Sequence, residues 1–169
     1  MNLPSGPCIA LVEKYGFGVF VETGTYNGAT TNWAAERFKK VYTFEAEHGI
    51  YRAYLFSKPD NVDAIFGKSE DMLPDLLERL NEPAVFWLDA HWSSGNTFEG
   101  VCPLEDELKA IAAHPFDHAV FVDDISLFTP QFEAVKPVML NIGYKVFRMA
   151  DTALFLKEKH LAALEAVNA

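Results

Sequence analysis

Cysteine is scarce in this sequence: two in 169 residues, Cys8 and Cys102. They stand far apart and in no Cys-x-x-Cys or mixed His/Cys ligand spacing, so a disulfide scaffold and a zinc knuckle are excluded. Both read as reduced thiols, which fits a cytoplasmic protein. Basic residues are also few, 14 Lys and Arg against 24 Asp and Glu, for a formal charge of −10. Nucleic acids and anionic membranes select clustered cations, so neither is an expected partner. No apolar run approaches the ~20 residues that a membrane-spanning helix needs. The first 15 residues lack a basic stretch followed by an apolar core, so no signal peptide is expected. Repeats, linkers and low-complexity segments are missing too. Two nucleotide motifs are absent: Gly-x-Gly-x-x-Gly, and a glycine loop ending in Gly-Lys-Ser/Thr.

What is present is a chain half hydrophobic, with 14 Phe, and a length that favours one domain over 1–169 with a sizeable core. Its most informative stretch is Val19-Phe20-Val21-Glu22-Thr23-Gly24-Thr25-Tyr26-Asn27-Gly28-Ala29-Thr30-Thr31. An apolar run ends in a carboxylate, passes two glycines and opens into helix-like sequence. That is a strand, a tight turn and a helix start, where backbone N–H groups meet a ligand and glycine allows close approach. The pattern is Glu-x-Gly-x-x-x-Gly. An acid in the first position suits an amino-acid-like ligand better than a pyrophosphate.

Along the chain, apolar runs predict strands over 17–21, 41–44, 62–66, 84–88 and 119–122. Helical stretches precede, separate and follow them: 5–16, 28–38, 48–56, one opening at Ser69, one opening at Pro103, and 129–141. Ser69 is the expected cap of its helix, and Thr129-Pro130 the expected opening of the last. Two further strands, 145–149 and 153–157, are joined tightly enough to form an antiparallel hairpin. A helical tail follows over 159–169. The longest irregular segment, 90–102, is the expected binding loop or lid. This order predicts an α/β fold: a Rossmann-like, doubly wound, seven-stranded sheet, mostly parallel, with a C-terminal antiparallel hairpin. Ligands in such sheets bind beyond the carboxyl ends of the strands. Four strands end there in acid, at Glu22, Glu45, Asp89 and Asp123, and like charges meeting at one edge point to a site.

With these residues in view, the chain resembles the class I S-adenosylmethionine-dependent methyltransferases over nearly its whole length. The resemblance implies that Glu22, Gly24 and Gly28, with Thr25 and Tyr26, hold the methionine part of the cofactor. It implies that Glu45 binds the ribose hydroxyls, with Ala46 beside it, and that Gly67, Lys68 and Ser69 flank the adenine. Asp89 ends the fourth strand beside the cofactor. Tyr26 departs from the pattern, since many members have glycine there. The run Phe86-Trp87-Leu88-Asp89-Ala90-His91-Trp92, with Cys102-Pro103-Leu104, looks like a bacterial subgroup of small methyltransferases. Asp89 with Asp123-Asp124 is also similar to the acid set of O-methyltransferases that hold Mg²⁺. It implies a metal at Asp89, Asp123 and Asp124, and methyl transfer to a hydroxyl of a small polar acceptor. Asp89 and His91 are the candidate catalytic residues, and a homo-oligomer is compatible with the sequence.

Two rival readings stand beside this one. Asp89-Ala90-His91 is similar to the Asp-Ala-His-x-Asp metal motif of ureohydrolases, but Ser93 replaces the second acid and the later Asp-x-Asp is missing. The other rival is a non-catalytic module that binds a cofactor or scaffolds a partner. Elsewhere, Trp92 and Phe98 are expected to pack the loop or wall the acceptor. His114 and His118 are expected on the surface, and Glu99, Glu105, Asp106 and Glu107 on a solvated acidic face.

Overall fold

The computed structural model describes residues 2–90 and 102–167. Its elements alternate as the apolar pattern requires: α1 (Ser5–Tyr15), β1 (Val19–Thr23), α2 (Ala29–Ala35), β2 (Lys40–Glu45), α3 (His48–Leu55), β3 (Val62–Phe66), α4 (Ser69–Arg79) and β4 (Ala84–Leu88). Beyond the undescribed segment come α5 (Leu104–Ala113), β5 (Ala119–Val122), α6 (Thr129–Leu140), β6 (Tyr144–Met149) and β7 (Thr152–Lys157). The expected helical tail is helical over its described residues, Glu158–Val167, in 3₁₀ form. Among the described residues no helix is long and apolar enough to cross a membrane.

The seven strands form one sheet in the order β3-β2-β1-β4-β5-β7-β6. β1 pairs in parallel with β2 and β4, and β5 pairs in parallel with β4. β7 runs antiparallel to both β5 and β6, so it is the one reversed strand. Every residue of β1, β4 and β5 is buried, as central strands covered on both faces must be. One face packs Leu73, Leu76, Leu108, Ile111, Phe132 and Met139 from α4, α5 and α6. The other packs Leu11, Ala34 and Tyr54 from α1, α2 and α3. The order reverses between β1 and β4, so the crevice above their carboxyl ends is the switch point where ligands of this architecture bind.

Local capping differs from the sequence reading in two places. Lys68, not Ser69, is the N-cap of α4, and Ser69 is the first helical residue. Phe128 caps α6, and the Thr129 hydroxyl instead donates to the Ile125 carbonyl at 3.0 Å. A cap the sequence did not mark is Glu47, whose side chain accepts the Ile50 N–H at 2.7 Å and opens α3.

The expected surface histidines are a correction. His118 is fully buried and His114 partly so. The Ala84 N–H donates to His118 Nδ1 at 3.0 Å, which fixes that nitrogen as an acceptor. In the neutral ring the proton is then on Nε2, which donates to His114 Nδ1 at 2.7 Å. His114 is left with its proton on Nε2, facing the carbonyls of Leu77 at 2.9 Å and Leu80 at 3.1 Å. One backbone N–H thus sets both tautomers, and the relay ties the start of β4 to the ends of α4 and α5. Burial, then the neighbouring His114, hold the His118 pKa down at about 3.

Candidate functional site

The turn from Gly24 to Gly28 folds back over the end of β2. The N–H groups of Gly24 and Thr25 both donate to the Phe44 carbonyl, at 3.0 and 3.1 Å. Gly24 has φ +89, and a Cβ there would stand 2.6 Å from the Asp89 carbonyl oxygen. Gly28 has φ +73, and a Cβ there would meet the Tyr54 ring at 2.3 Å. Both glycines are therefore required by conformation and by contact. Tyr26 lies between them in the same left-handed region, φ 46, and is 63% exposed. A non-glycine residue in that region strains the backbone locally.

The first two strand-end acids have unlike surroundings. Glu22 is buried, and the hydroxyls of Thr31 and Thr43 both donate to its Oε2, that of Thr43 at 2.7 Å. Thr43 in turn shares a 2.6 Å contact with the Thr25 hydroxyl. Burial pushes the Glu22 pKa up to about 8, and the charges of Asp89 and Glu45 add to the rise against the two hydroxyls. Glu45 is 8% exposed and held at both oxygens. The Tyr26 N–H donates to Oε2 and the Glu47 N–H to Oε1, each at 2.9 Å. Ala46 sits half-buried between Glu45 and the Glu47 cap.

Asp89 follows β4. Its N–H donates to the carbonyl and the hydroxyl of Thr23, at 3.1 and 3.2 Å, and its Oδ2 accepts the Trp87 indole N–H at 3.3 Å. Asp123 follows β5, and the Thr152 hydroxyl donates to its Oδ1 at 3.1 Å. Burial, then the Asp89 charge, push the Asp123 pKa up to about 6. The hairpin turn is tied to the loop behind Asp123, because Asp151 accepts from the Ser126 N–H at 2.9 Å and from its hydroxyl at 2.6 Å. Glu22, Glu45, Asp89 and Asp123 thus end β1, β2, β4 and β5 along one edge, as the sequence led us to expect.

The implied metal set is not brought together. Among the described residues no three His, Cys, Asp or Glu side chains are grouped to hold an ion. Asp123 and Asp89 each have an oxygen engaged with a protein donor, and Asp124 is one residue on, in a left-handed turn at φ 48. His91, with Trp92, Phe98 and Glu99, lies outside the described residues. Lys68 is exposed at the start of α4, and Ser69 behind it is buried.

Glu107 is a further correction. It was expected on a solvated face, yet it is 2% exposed. The signal was in the spacing. Glu107 falls three residues after Leu104 and four before Ile111, both buried, so it shares their stripe.

No family model and no curated protein matches this sequence. Solved structures do. Human methyltransferase-like protein 13, in complex with SAH, is 11% identical with a TM-score of 0.68, over 97% of this chain and 88% of that one. The N-methyltransferase NodS from Bradyrhizobium japonicum WM9 is 13% identical with a TM-score of 0.58, over 90% and 92%. An rRNA methylase from Streptococcus thermophilus is 14% identical with a TM-score of 0.56, over 90% and 93%. At these identities the likeness is one of architecture: the chain has the α/β, Rossmann-like fold of these methyltransferases, with its antiparallel C-terminal strands.

Proposed function

We propose that this protein transfers a methyl group from S-adenosylmethionine to a hydroxyl of a small polar acceptor, such as a sugar or another metabolite. The observation that carries this reading is the pair Glu22 and Glu45, on neighbouring strand ends beneath a turn that only glycine can close at Gly24 and Gly28. The residues fit the cofactor chemically. A ligand ammonium beside Glu22 would favour the charged form that burial disfavours. Both Glu45 oxygens are oriented by backbone N–H groups and keep lone pairs for a ribose diol.

Glu22 and the turn from Gly24 through Thr25 and Tyr26 to Gly28 would hold the amino-acid end. Glu45 and Ala46 would hold the ribose, and Lys68 and Ser69 would flank the base. When bound, the cofactor supplies a methyl group on a good leaving group, so the chain needs chiefly to orient the acceptor and keep it dry. Asp89, beside Asp123 at the ends of β4 and β5, is our candidate to orient the acceptor hydroxyl and take its proton. His91 is the second candidate base. We assign no step to Mg²⁺, because the described acids are not grouped to ligate one.

The acceptor is read as a small molecule because a charge of −10 disfavours a polyphosphate. One neighbour is an N-methyltransferase and another an rRNA methylase, so the acceptor is the part to test first. Methyl-labelled S-adenosylmethionine should be offered with a panel of hydroxyl, amine and RNA acceptors. Label on a small-molecule hydroxyl supports the reading. Label only on nitrogen or RNA overturns the acceptor, and no binding of S-adenosylhomocysteine overturns the activity.

A further inference from the structure

A cleft of about 200 Å³ opens between α6 and the edge strand β6. None of its lining residues is a strand-end acid or part of the glycine turn. The sheet register accounts for the space. Ala153 of β7 stands between Val122 of β5 and Arg148 of β6, while in the next row on that face Phe155 stands between Val120 and Val146. Phe132 of α6 rests on Phe155, with ring centroids 6.0 Å apart. A bulky row thus holds the helix off the sheet, and the short Ala153 side chain leaves its own row unfilled. Ile125, Phe132, Val146 and Ala153 give the cleft an apolar floor. Lys136, Glu133 and Arg148 stand at its rim, and the first two are paired along α6. Arg148 donates from Nε to the Ala150 carbonyl at 3.2 Å, while its Nη2 is 3.8 Å from Asp151, beyond hydrogen-bond reach. Both Asp151 oxygens already accept from Ser126. Two cations against one acid leave the rim with one net positive charge, in a chain whose formal charge is −10.

We propose that this cleft binds a small monocarboxylate with a flat apolar body, of the arylacetic acid kind. The body lies on the floor over Ala153. An apolar cavity of about 150 Å³ takes a benzene ring, so the cleft has room for a ring and a short linker. The carboxylate faces Arg148, whose planar fork offers it two N–H groups. The Thr129 hydroxyl donates to the Ile125 carbonyl at 3.0 Å, so it presents only lone pairs and steers an anion toward the Arg148 side. One net positive charge matches a monoanion, whereas a dianion would meet Glu133 with charge left over. The site stands apart from the strand-end crevice and does not depend on the proposed methyl transfer.

The test titrates phenylacetate, and its neutral isostere phenylacetamide, into isotope-labelled protein while backbone amide NMR shifts are followed. Phenylacetate should bind in the millimolar range, as a ligand so small would, with saturable shifts at Thr129, Val146 and Arg148. The amide should bind at least about threefold more weakly. Arg148→Gln should weaken phenylacetate by about three- to tenfold, and Glu133→Gln should tighten it about twofold. Opposite signs from two exposed side chains separate recognition of charge from a general loosening of the fold. Glu133→Gln decides the matter alone if Arg148→Gln fails to fold by circular dichroism. The absence of saturable shifts at these residues overturns the proposal. So do equal affinities for acid and amide, unchanged affinity in the folded variants, or displacement of the probe by S-adenosylhomocysteine, which would put it in the crevice instead.

Discussion

Replacing Glu45 by Ala tests the ribose site and the turn together, and the two effects separate. The carboxylate accepts the Tyr26 N–H on one oxygen and the Glu47 N–H on the other, each at 2.9 Å. Hydrogen bonds to a charged group contribute roughly 1.5–3 kcal/mol each. Tyr26 is exposed, so water can replace part of its bond, and the net stability cost should be about 2–4 kcal/mol. The ligand loses one or two further charge-assisted bonds, which corresponds to a 10- to 100-fold weaker Kd by order of magnitude. Calorimetry with S-adenosylhomocysteine, well below the melting temperature, reads the second effect, and a denaturant melt reads the first. Tyr26→Gly is the control. It keeps both Glu45 bonds and removes the cost of a left-handed tyrosine, about 1–2 kcal/mol. It should therefore melt no lower than wild type, and any change in its affinity reads the tyrosine side chain alone. A folded Glu45→Ala protein with unchanged affinity would refute the assignment. Equal loss of affinity in Tyr26→Gly would show that the tyrosine, not the carboxylate, supplies the contact.

Other outcomes follow from two groups with large environmental shifts, His118 and Glu22. His118→Ala should cost about 3–5 kcal/mol in a urea melt, from two orphaned partners and a cavity in the core. His118→Asn restores an acceptor for the Ala84 N–H and should recover part of it; a cost below about 1 kcal/mol for the alanine variant would show that the relay holds nothing. With its folded pKa depressed to about 3, His118 contributes stability that is present above about pH 6.5 and lost as pH falls through 3. The margin of wild type over His118→Asn should thus shrink on acidification, and a constant margin between pH 7 and 4 would contradict it. Glu22 has the opposite sign. Its folded pKa of about 8 means it contributes stability present below about pH 4.5 and lost as pH rises through 8. A ligand ammonium at Glu22 would lower that pKa, so binding near pH 7 should release a proton and tighten as pH rises toward 8. Calorimetry in two buffers of unlike ionisation enthalpy reads the proton, and a zero result would remove Glu22 as the ammonium's partner.

The fold was legible because its signals are local and repeat. The apolar runs Val19–Thr23, Ala84–Leu88 and Ala119–Val122 are central parallel strands, and only strands covered on both faces lack polar alternation. The short join at Ala150-Asp151 could make only a hairpin, and it supplied the one antiparallel strand. Caps were less legible, because Ser69 and Thr129 resemble N-caps in sequence and become first-turn residues in space. His114 and His118 were misread for a different reason. Histidine carries no burial signal of its own, and the partners that bury this pair, Ala84, Leu77 and Leu80, come from 34 to 37 residues away.

The acids show where sequence reading stops. Their arrival at one edge follows from strand ends alone, but their chemical condition depends on distant hydroxyls and amides. Glu22 meets Thr31 and Thr43, 9 and 21 residues on, and both donate to a single oxygen inside the core. Glu45 meets Tyr26, 19 residues back, and Glu47, two residues on, with one donor for each oxygen. Two glutamates on neighbouring strands are thereby given different work. Burial raises the pKa of the first to about 8, and a cation beside it would favour the charged form. The one nearer the surface is fixed in orientation and can accept a neutral diol. Asp123 is a third case, with one oxygen bonded to Thr152 and a pKa raised first by burial and then by the nearby Asp89 charge. In the strand order β2-β1-β4-β5 the acids Glu45 and Glu22 are neighbours. A ligand that carries a diol beside an ammonium would meet each of the two in the condition the fold imposes, and that supports the proposed cofactor beyond the Glu-x-Gly-x-x-x-Gly pattern alone.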